Sequence, residues 1–130
     1  MLDNPFSIIF YVTDVEQSCG LYTRLLGREP TEASPNFAMY PLSGARGAHL
    51  ALWKRTDVTP AVDSTGIEGE LAFVAFGRAA VDALHAGWVE LGVRIVQAPA
   101  TMDFGYTFTG VDRDGHRLRV FAPAGGEPSA

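Results

Sequence analysis

Few side chains in this sequence have chemical potential, and those few are far apart. His49, Glu70 and Arg119 bring an imidazole, a carboxylate and a guanidinium into segments that otherwise read as apolar strands, and Ser7 is a fourth polar residue of the same kind. Aromatic residues accompany them: Tyr11, Phe37, Trp53, Phe104, Tyr106 and Phe121, with Met39 close to Phe37. An imidazole and a carboxylate can exchange protons or ligate a metal. A guanidinium offers a rigid fork of donors, and aromatic rings offer flat walls to a planar guest. These residue types admit two chemistries. One is catalysis, with His49 and Glu70 holding a weakly bound metal or Glu70 alone acting as a base in a metal-free isomerisation. The other is recognition, in which an aromatic guest stacks on Trp53 with Tyr11, Tyr106 or Phe104 opposite, and no bond is made or broken. In that reading Arg119 pairs with a carboxylate or phenolate of the guest, while His49 and Glu70 orient it. A plainer alternative for the trio is an internal ion pair between Glu70 and Arg119, with His49 a neutral neighbour.

Other patterns carry less. Asp112-x-Asp114-Gly115 has the opening of a calcium loop but lacks the downstream oxygen ligands and glutamate, so a hairpin turn explains it. His85 falls in a helical stretch and His116 at the start of a strand, and both are expected at the surface. No Gly-rich phosphate loop is present, and no Ser-His-Asp or Cys-His set has local spacing. The single cysteine, Cys19, can form no disulfide within the chain and reads as a core residue of a helix.

The elements that must position these groups follow from periodicity. Phe6 to Val12 is strand-like. Asp14 to Leu26 then carries Val15, Cys19, Tyr22, Leu25 and Leu26 at helical spacing, with Asp14 and Gln17 forming a capping box and Gly27 closing the helix. Phe37 to Leu42 and Ala48 to Lys54 follow as strands around a turn at Ser43 to Gly47. The order then repeats: a strand from Glu70 to Phe76, a helix from about Arg78 to Leu91 closed by Gly92, and strands Val93 to Gln97, Phe104 to Val111 and Arg117 to Phe121. Gly105 marks a possible bulge, which would leave the parity of Phe104 and Tyr106 open. The expected architecture is α+β: one domain over 1–130, built of two β-α-β-β-β modules, about 5–54 and 69–122, joined by an exposed linker at 55–68. A concave mixed sheet carries the helices on its outer face.

Alternation sorts the strands into two faces. Ile8, Phe10, Val12, Leu50, Leu52, Leu71, Phe73, Leu118 and Val120 form one, uniformly apolar and suited to lie under helices. Ser7, Ile9, Tyr11, His49, Ala51, Trp53, Glu70, Ala72, Val74, Arg119 and Phe121 form the other, aromatic with one polar group per strand. That second face reads as a lined cavity, and the bland alternative is a solvent-facing sheet surface.

Bulk composition sets the frame. The 130 residues, 47% hydrophobic, suit one domain with its own core. With 10 Lys and Arg against 15 Asp and Glu, the formal charge of -5 would repel a phosphate backbone, so no nucleic-acid partner is expected. The sequence opens with no basic stretch leading into an apolar run. It holds no run of about eighteen apolar residues, so neither a signal peptide nor a membrane span is expected and the cytoplasm is the default compartment.

The paired modules, Val12-Thr13-Asp14-Val15 leading into a helix that ends Leu25-Leu26-Gly27, and Asp112-Arg113-Asp114-Gly115-His116 before the last strand resemble the vicinal-oxygen-chelate superfamily, which includes glyoxalases, bleomycin resistance proteins and extradiol dioxygenases. Metal-using members hold a cation with four His, Glu or Gln side chains, and the resemblance puts those positions on Ser7, His49, Glu70 and Arg119. Ser7 is a poor ligand and Arg119 a fixed cation, so no metal and no other cofactor is expected. Phe10-Tyr11-Val12, Leu52-Trp53, Phe104-Gly105 with Thr107-Phe108, and Arg119 are similar to stretches of the superfamily's phenazine-resistance binding members. That likeness implies metal-free sequestration of a planar, phenazine- or bleomycin-like molecule. It also implies a homodimer whose modules pair within one chain or swap between two. The ligand-contacting residues would be Trp53, His49, Glu70, Arg119, Tyr11, Tyr106, Phe104, Phe37, Met39 and Ser7. The enzyme alternative keeps a metal at His49 and Glu70, in a glyoxalase- or dioxygenase-type lyase or oxidoreductase.

Overall fold

The computed structural model describes residues 7–42, 48–59, 61–62 and 70–125. The expected turn at 43–47 and residues 60 and 63–68 of the linker expected at 55–68 lie outside the described residues. The chain divides into two compact units, Met1–Gly66 and Ile67–Ala130, and the fold is α+β with the same plan in both.

In the first unit β1 (Ser7–Val12) leads to α1 (Val15–Leu26), followed by β2 (Glu32–Ala33), β3 (Phe37–Pro41) and β4 (His49–Lys54). The sheet order is β1-β4-β3-β2, with β1 parallel to β4 and the other pairs antiparallel. Asp14 caps α1, its carboxylate accepting from the Gln17 backbone N–H at 3.0 Å, and Gly27 ends it with a φ of 66°. The helix covers the face expected from alternation: the Tyr22 ring lies 6.4 Å from Phe10, and Tyr40 donates to the Cys19 carbonyl while sharing a hydrogen bond with Thr23 at 2.9 Å. Burial pushes the Tyr40 hydroxyl well above the ordinary phenol range, an effect its contacts with Cys19 reinforce. Leu50 and Leu52 are fully buried, each removing apolar surface that stabilises the fold by about 2 kcal/mol. β2 was not expected. Its two residues, paired Glu32 to Met39 and Ala33 to Ala38, are too few to show an alternation in sequence.

The second unit runs β5 (Glu70–Val74), α2 (Arg78–Glu90), β6 (Arg94–Met102), β7 (Gly105–Val111) and β8 (Arg117–Pro123), in the order β5-β8-β7-β6 with β5 parallel to β8. Phe108, fully buried, meets Trp88 and His85 of α2 edge-on at 5.0 and 5.2 Å. The helix approaches so closely that a Cβ on Gly110 would lie 2.8 Å from Val93 Cγ1 and 3.2 Å from Trp88. His85 is therefore half-buried against Phe108 rather than at the surface.

Two further expectations are corrected here. β7 pairs with β8 without interruption from Gly105 to Val111, and the register shifts fall on β6, between Ile95 and Gln97 and between Gln97 and Ala100. Gly105 is needed for another reason: its φ is 148°, and a Cβ there would stand 2.0 Å from the Ala122 carbonyl oxygen. His116 is buried, not exposed. In the turn between β7 and β8 the Asp112 carboxylate accepts from the backbone N–H groups of Asp114 and His116 with one oxygen, and its other oxygen lies 2.7 Å from His116 Nδ1. The carboxylate that shapes this turn thus draws the imidazole back over it. Among the described residues no helix is long and apolar enough to cross a membrane.

Candidate functional site

In each unit the sheet has a face opposite its helix, and register sets the side chains of that face in rows. In the first unit Ser7, His49 and Pro41 form one row, Ile9, Ala51 and Met39 the next, and Tyr11, Trp53 and Phe37 the third. All six residues expected here, Ser7, Tyr11, Phe37, Met39, His49 and Trp53, therefore share one face. Buried Ala51 keeps its centre low, and the rings rise at one end. Trp53 is half-buried, with Tyr11 standing edge-on to it at 6.3 Å and 77°. Tyr11 is 37% exposed and Ile9 45%, so this face carries apolar surface open to a partner.

In the second unit the corresponding face holds Glu70, Ala72 and Val74 on β5, Arg119 and Phe121 on β8, Thr107 and Thr109 on β7, and Gln97 on β6. Arg119 is its centre. Its Nε donates to Glu70 Oε1 at 2.6 Å, and its Nη1 donates to Gln97 Oε1 at 3.0 Å and to Thr107 Oγ at 3.1 Å. Thr109 donates to the same Gln97 oxygen at 3.1 Å, and Thr107 donates to the Val120 carbonyl at 2.8 Å, so two of the guanidinium's three acceptors are themselves held. The Arg119 and Glu70 side chains remain 16% and 33% exposed. Beside them Phe104 lies edge-on to Phe121 at 5.9 Å, and the guanidinium carbon is 5.4 Å from the Phe104 ring centre.

Of the expected residues of this unit, the structure brings Glu70, Arg119 and Phe104 together and leaves Tyr106 out. β7 is regular, so Tyr106 shares its side with Phe108 and faces α2. Its hydroxyl donates to Asp82 at 2.7 Å, and Arg78 lies 4.0 Å over its ring. The bond to Asp82 holds the phenol above its usual range. Sequence reasoning missed Gln97 and Thr107. The Thr-Phe-Thr alternation at 107–109 was a usable signal for Thr107, whereas the register shifts around Gln97 erase any signal for its orientation.

A divalent ion does not fit these donors. The Glu70 carboxylate is paired through one oxygen with a permanent cation that would repel a metal ion, the Gln97 oxygen is shared by Arg119 and Thr109, and Ser7 stands beside His49 as a weak ligand. Among the described residues no three His, Cys, Asp or Glu side chains are grouped as metal ligands.

The sequence and the fold both have known relatives. A family model described as the Glyoxalase/Bleomycin resistance protein/Dioxygenase superfamily matches residues 6–120. The chain is 29% identical over 115 residues, 86% of either protein, to the phenazine antibiotic resistance protein EhpR of Enterobacter agglomerans. A protein of Agrobacterium tumefaciens solved by solution NMR is 46% identical, with a TM-score of 0.84 over 95% of this chain and 99% of that one. A glyoxalase-related enzyme from Fulvimarina pelagi, 19% identical, has the same fold, with a TM-score of 0.82 over 99% of both chains.

Proposed function

The chain belongs to the glyoxalase, bleomycin resistance and dioxygenase superfamily, and from that premise we propose that it binds and sequesters a planar aromatic small molecule, of the phenazine or bleomycin kind, without a metal. The observation that carries this reading is the bonding of Arg119. A guanidinium fixed by Glu70, Gln97 and Thr107 puts a permanent positive charge on one Glu70 oxygen and on the Gln97 oxygen, where a cation would otherwise bind, and leaves a polar anchor beside the Phe104 and Phe121 rings. The first unit has an aromatic surface of its own in Tyr11, Trp53 and Phe37. Stacking contributes about 0.5 to 1.5 kcal/mol per aromatic pair beyond burial. Burial of the guest's own apolar area, at about 25 cal/mol per Å², supplies the larger part of the affinity. Likeness to a phenazine antibiotic resistance protein supports a role in resistance.

The test is titration of tryptophan fluorescence with phenazine in excess chelator. Trp53 stands on the open face, whereas Trp88 on α2 is buried against Phe108 and serves as an internal background. Saturable quenching that disappears in Trp53→Ala supports the proposal. Stoichiometric metal in the purified protein, with binding lost on chelation, would overturn it in favour of an enzyme using His49 and Glu70.

A further inference from the structure

The hydrogen bonds of Arg119 say what kind of guest its face prefers. A guanidinium has five N–H groups and accepts nothing. Nε–H goes to Glu70, and Nη1 serves Gln97 and Thr107; among the described residues nothing accepts from Nη2. The one remaining donor pair belongs to an ion whose charge a carboxylate 2.6 Å away already balances. Because arginine can only donate, the Gln97 amide must present its oxygen to Nη1. Thr109 fixes the same oxygen from the other side, and the amide nitrogen is turned toward Met102 Sδ at 3.7 Å. The guanidinium is thus clamped on two edges, with its third edge free and its net charge cancelled.

We infer that this face selects a neutral planar heteroaromatic presenting a ring nitrogen or carbonyl as acceptor, and discriminates against the anionic analogue, with Glu70 and Gln97 as the residues that set the preference. The inference deepens, and rests on, the binding function proposed above. A neutral acceptor gains a charge-assisted hydrogen bond from Nη2 and sheds little water on entering. An anion sheds a full hydration shell, meets a cation already paired, and is repelled by the Glu70 carboxylate next to it. The preference therefore opposes the simple expectation that an arginine in an aromatic site recognises a carboxylate.

The experiment is a calorimetric titration with phenazine and with phenazine monocarboxylate, on the wild-type chain and on Glu70→Gln and Gln97→Leu. Circular dichroism establishes that each variant is folded. The wild type binds phenazine about tenfold more tightly than the carboxylate, the ratio expected for one charge-assisted bond gained and one repulsion avoided. Glu70→Gln leaves the guanidinium uncompensated and shifts that ratio about tenfold toward the carboxylate. Gln97→Leu removes one of the clamps that hold the guanidinium in place and weakens phenazine binding about fivefold. A purely structural role for Glu70 would lower both affinities together and leave their ratio unmoved. An equal or tighter affinity of the wild type for the carboxylate, or a ratio unchanged in Glu70→Gln, overturns the inference while leaving aromatic binding intact. Failure of the folded wild type to bind either compound overturns the proposed function and this inference with it.

Discussion

Exchanging Arg119 for Met and Glu70 for Gln, singly and together, measures how firmly the carboxylate holds the guanidinium. Two unit charges 4 Å apart attract by about 4 kcal/mol at an effective dielectric of 20 and by about 1 kcal/mol in water. This pair is closer, at 2.6 Å, but Glu70 is a third exposed and Arg119 about a sixth, so solvent screening and side-chain ordering remove most of the gross attraction. Exposed pairs retain about 0.2–1 kcal/mol. The better shielding of Arg119 places this one at the upper end, with a coupling of about 1 kcal/mol. Arg119→Met alone destabilises more, by about 2 kcal/mol, because the Gln97 oxygen also loses its charged donor. Glu70→Gln keeps an acceptor toward Nε and costs about 1 kcal/mol. Urea unfolding of the four proteins at low ionic strength gives the coupling directly. A coupling below about 0.3 kcal/mol would refute the reasoning, because Glu70 would then not anchor the guanidinium and the cancelled charge would lose its basis.

Two further outcomes are expected. Gly105→Ala forces a Cβ to within 2.0 Å of the Ala122 carbonyl at a φ of 148° and should cost more than about 3 kcal/mol. Gly87→Ala, inside α2 with open space around it, should gain about 0.5–1 kcal/mol, so thermal unfolding of the two variants must move in opposite directions. Of the four tyrosines, Tyr40 is raised above the usual phenol value chiefly by burial, and Tyr106 chiefly by its bond to Asp82. The stability each contributes is complete below the ordinary phenol pKa of about 10 and is lost as pH rises through the higher folded value. An ultraviolet difference titration should therefore show both ionising late, and Asp82→Asn should return Tyr106 toward the ordinary range while leaving Tyr40 in place.

The sequence made the elements legible where a period ran long enough. Asp14 and Gly27 marked both ends of α1, and alternation sorted Ser7 from Ile8 and Leu118 from Arg119 onto their observed faces. It failed where the period broke. β2 has only two residues, and the shifts on β6 hid Gln97. The glycine at 105 suggested a slip in β7 that the chain places on β6 instead, and Tyr106 went to the wrong side with it. His116 was misjudged for a different reason. The turn pattern was read for its glycine, but the Asp112 carboxylate organises the loop by accepting two backbone N–H groups, and that brings the imidazole inward.

The choice of arginine at position 119 changes what the neighbouring donors can do. A metal ion is held by lone pairs that converge on it, and it acts by polarising whatever fills the open coordination position. Arg119 turns the same kind of donors toward itself: Glu70 gives one oxygen and Gln97 its amide oxygen to guanidinium N–H groups, and the charge that results is delocalised, fixed and already balanced. Such a centre cannot activate a water molecule as a Lewis acid. What it retains is direction, one unspent edge of donors beside the Phe104 and Phe121 rings. Direction next to flat apolar surface is what the proposed holding of a planar heteroaromatic in one orientation would draw on, and the side chains of one sheet face supply it.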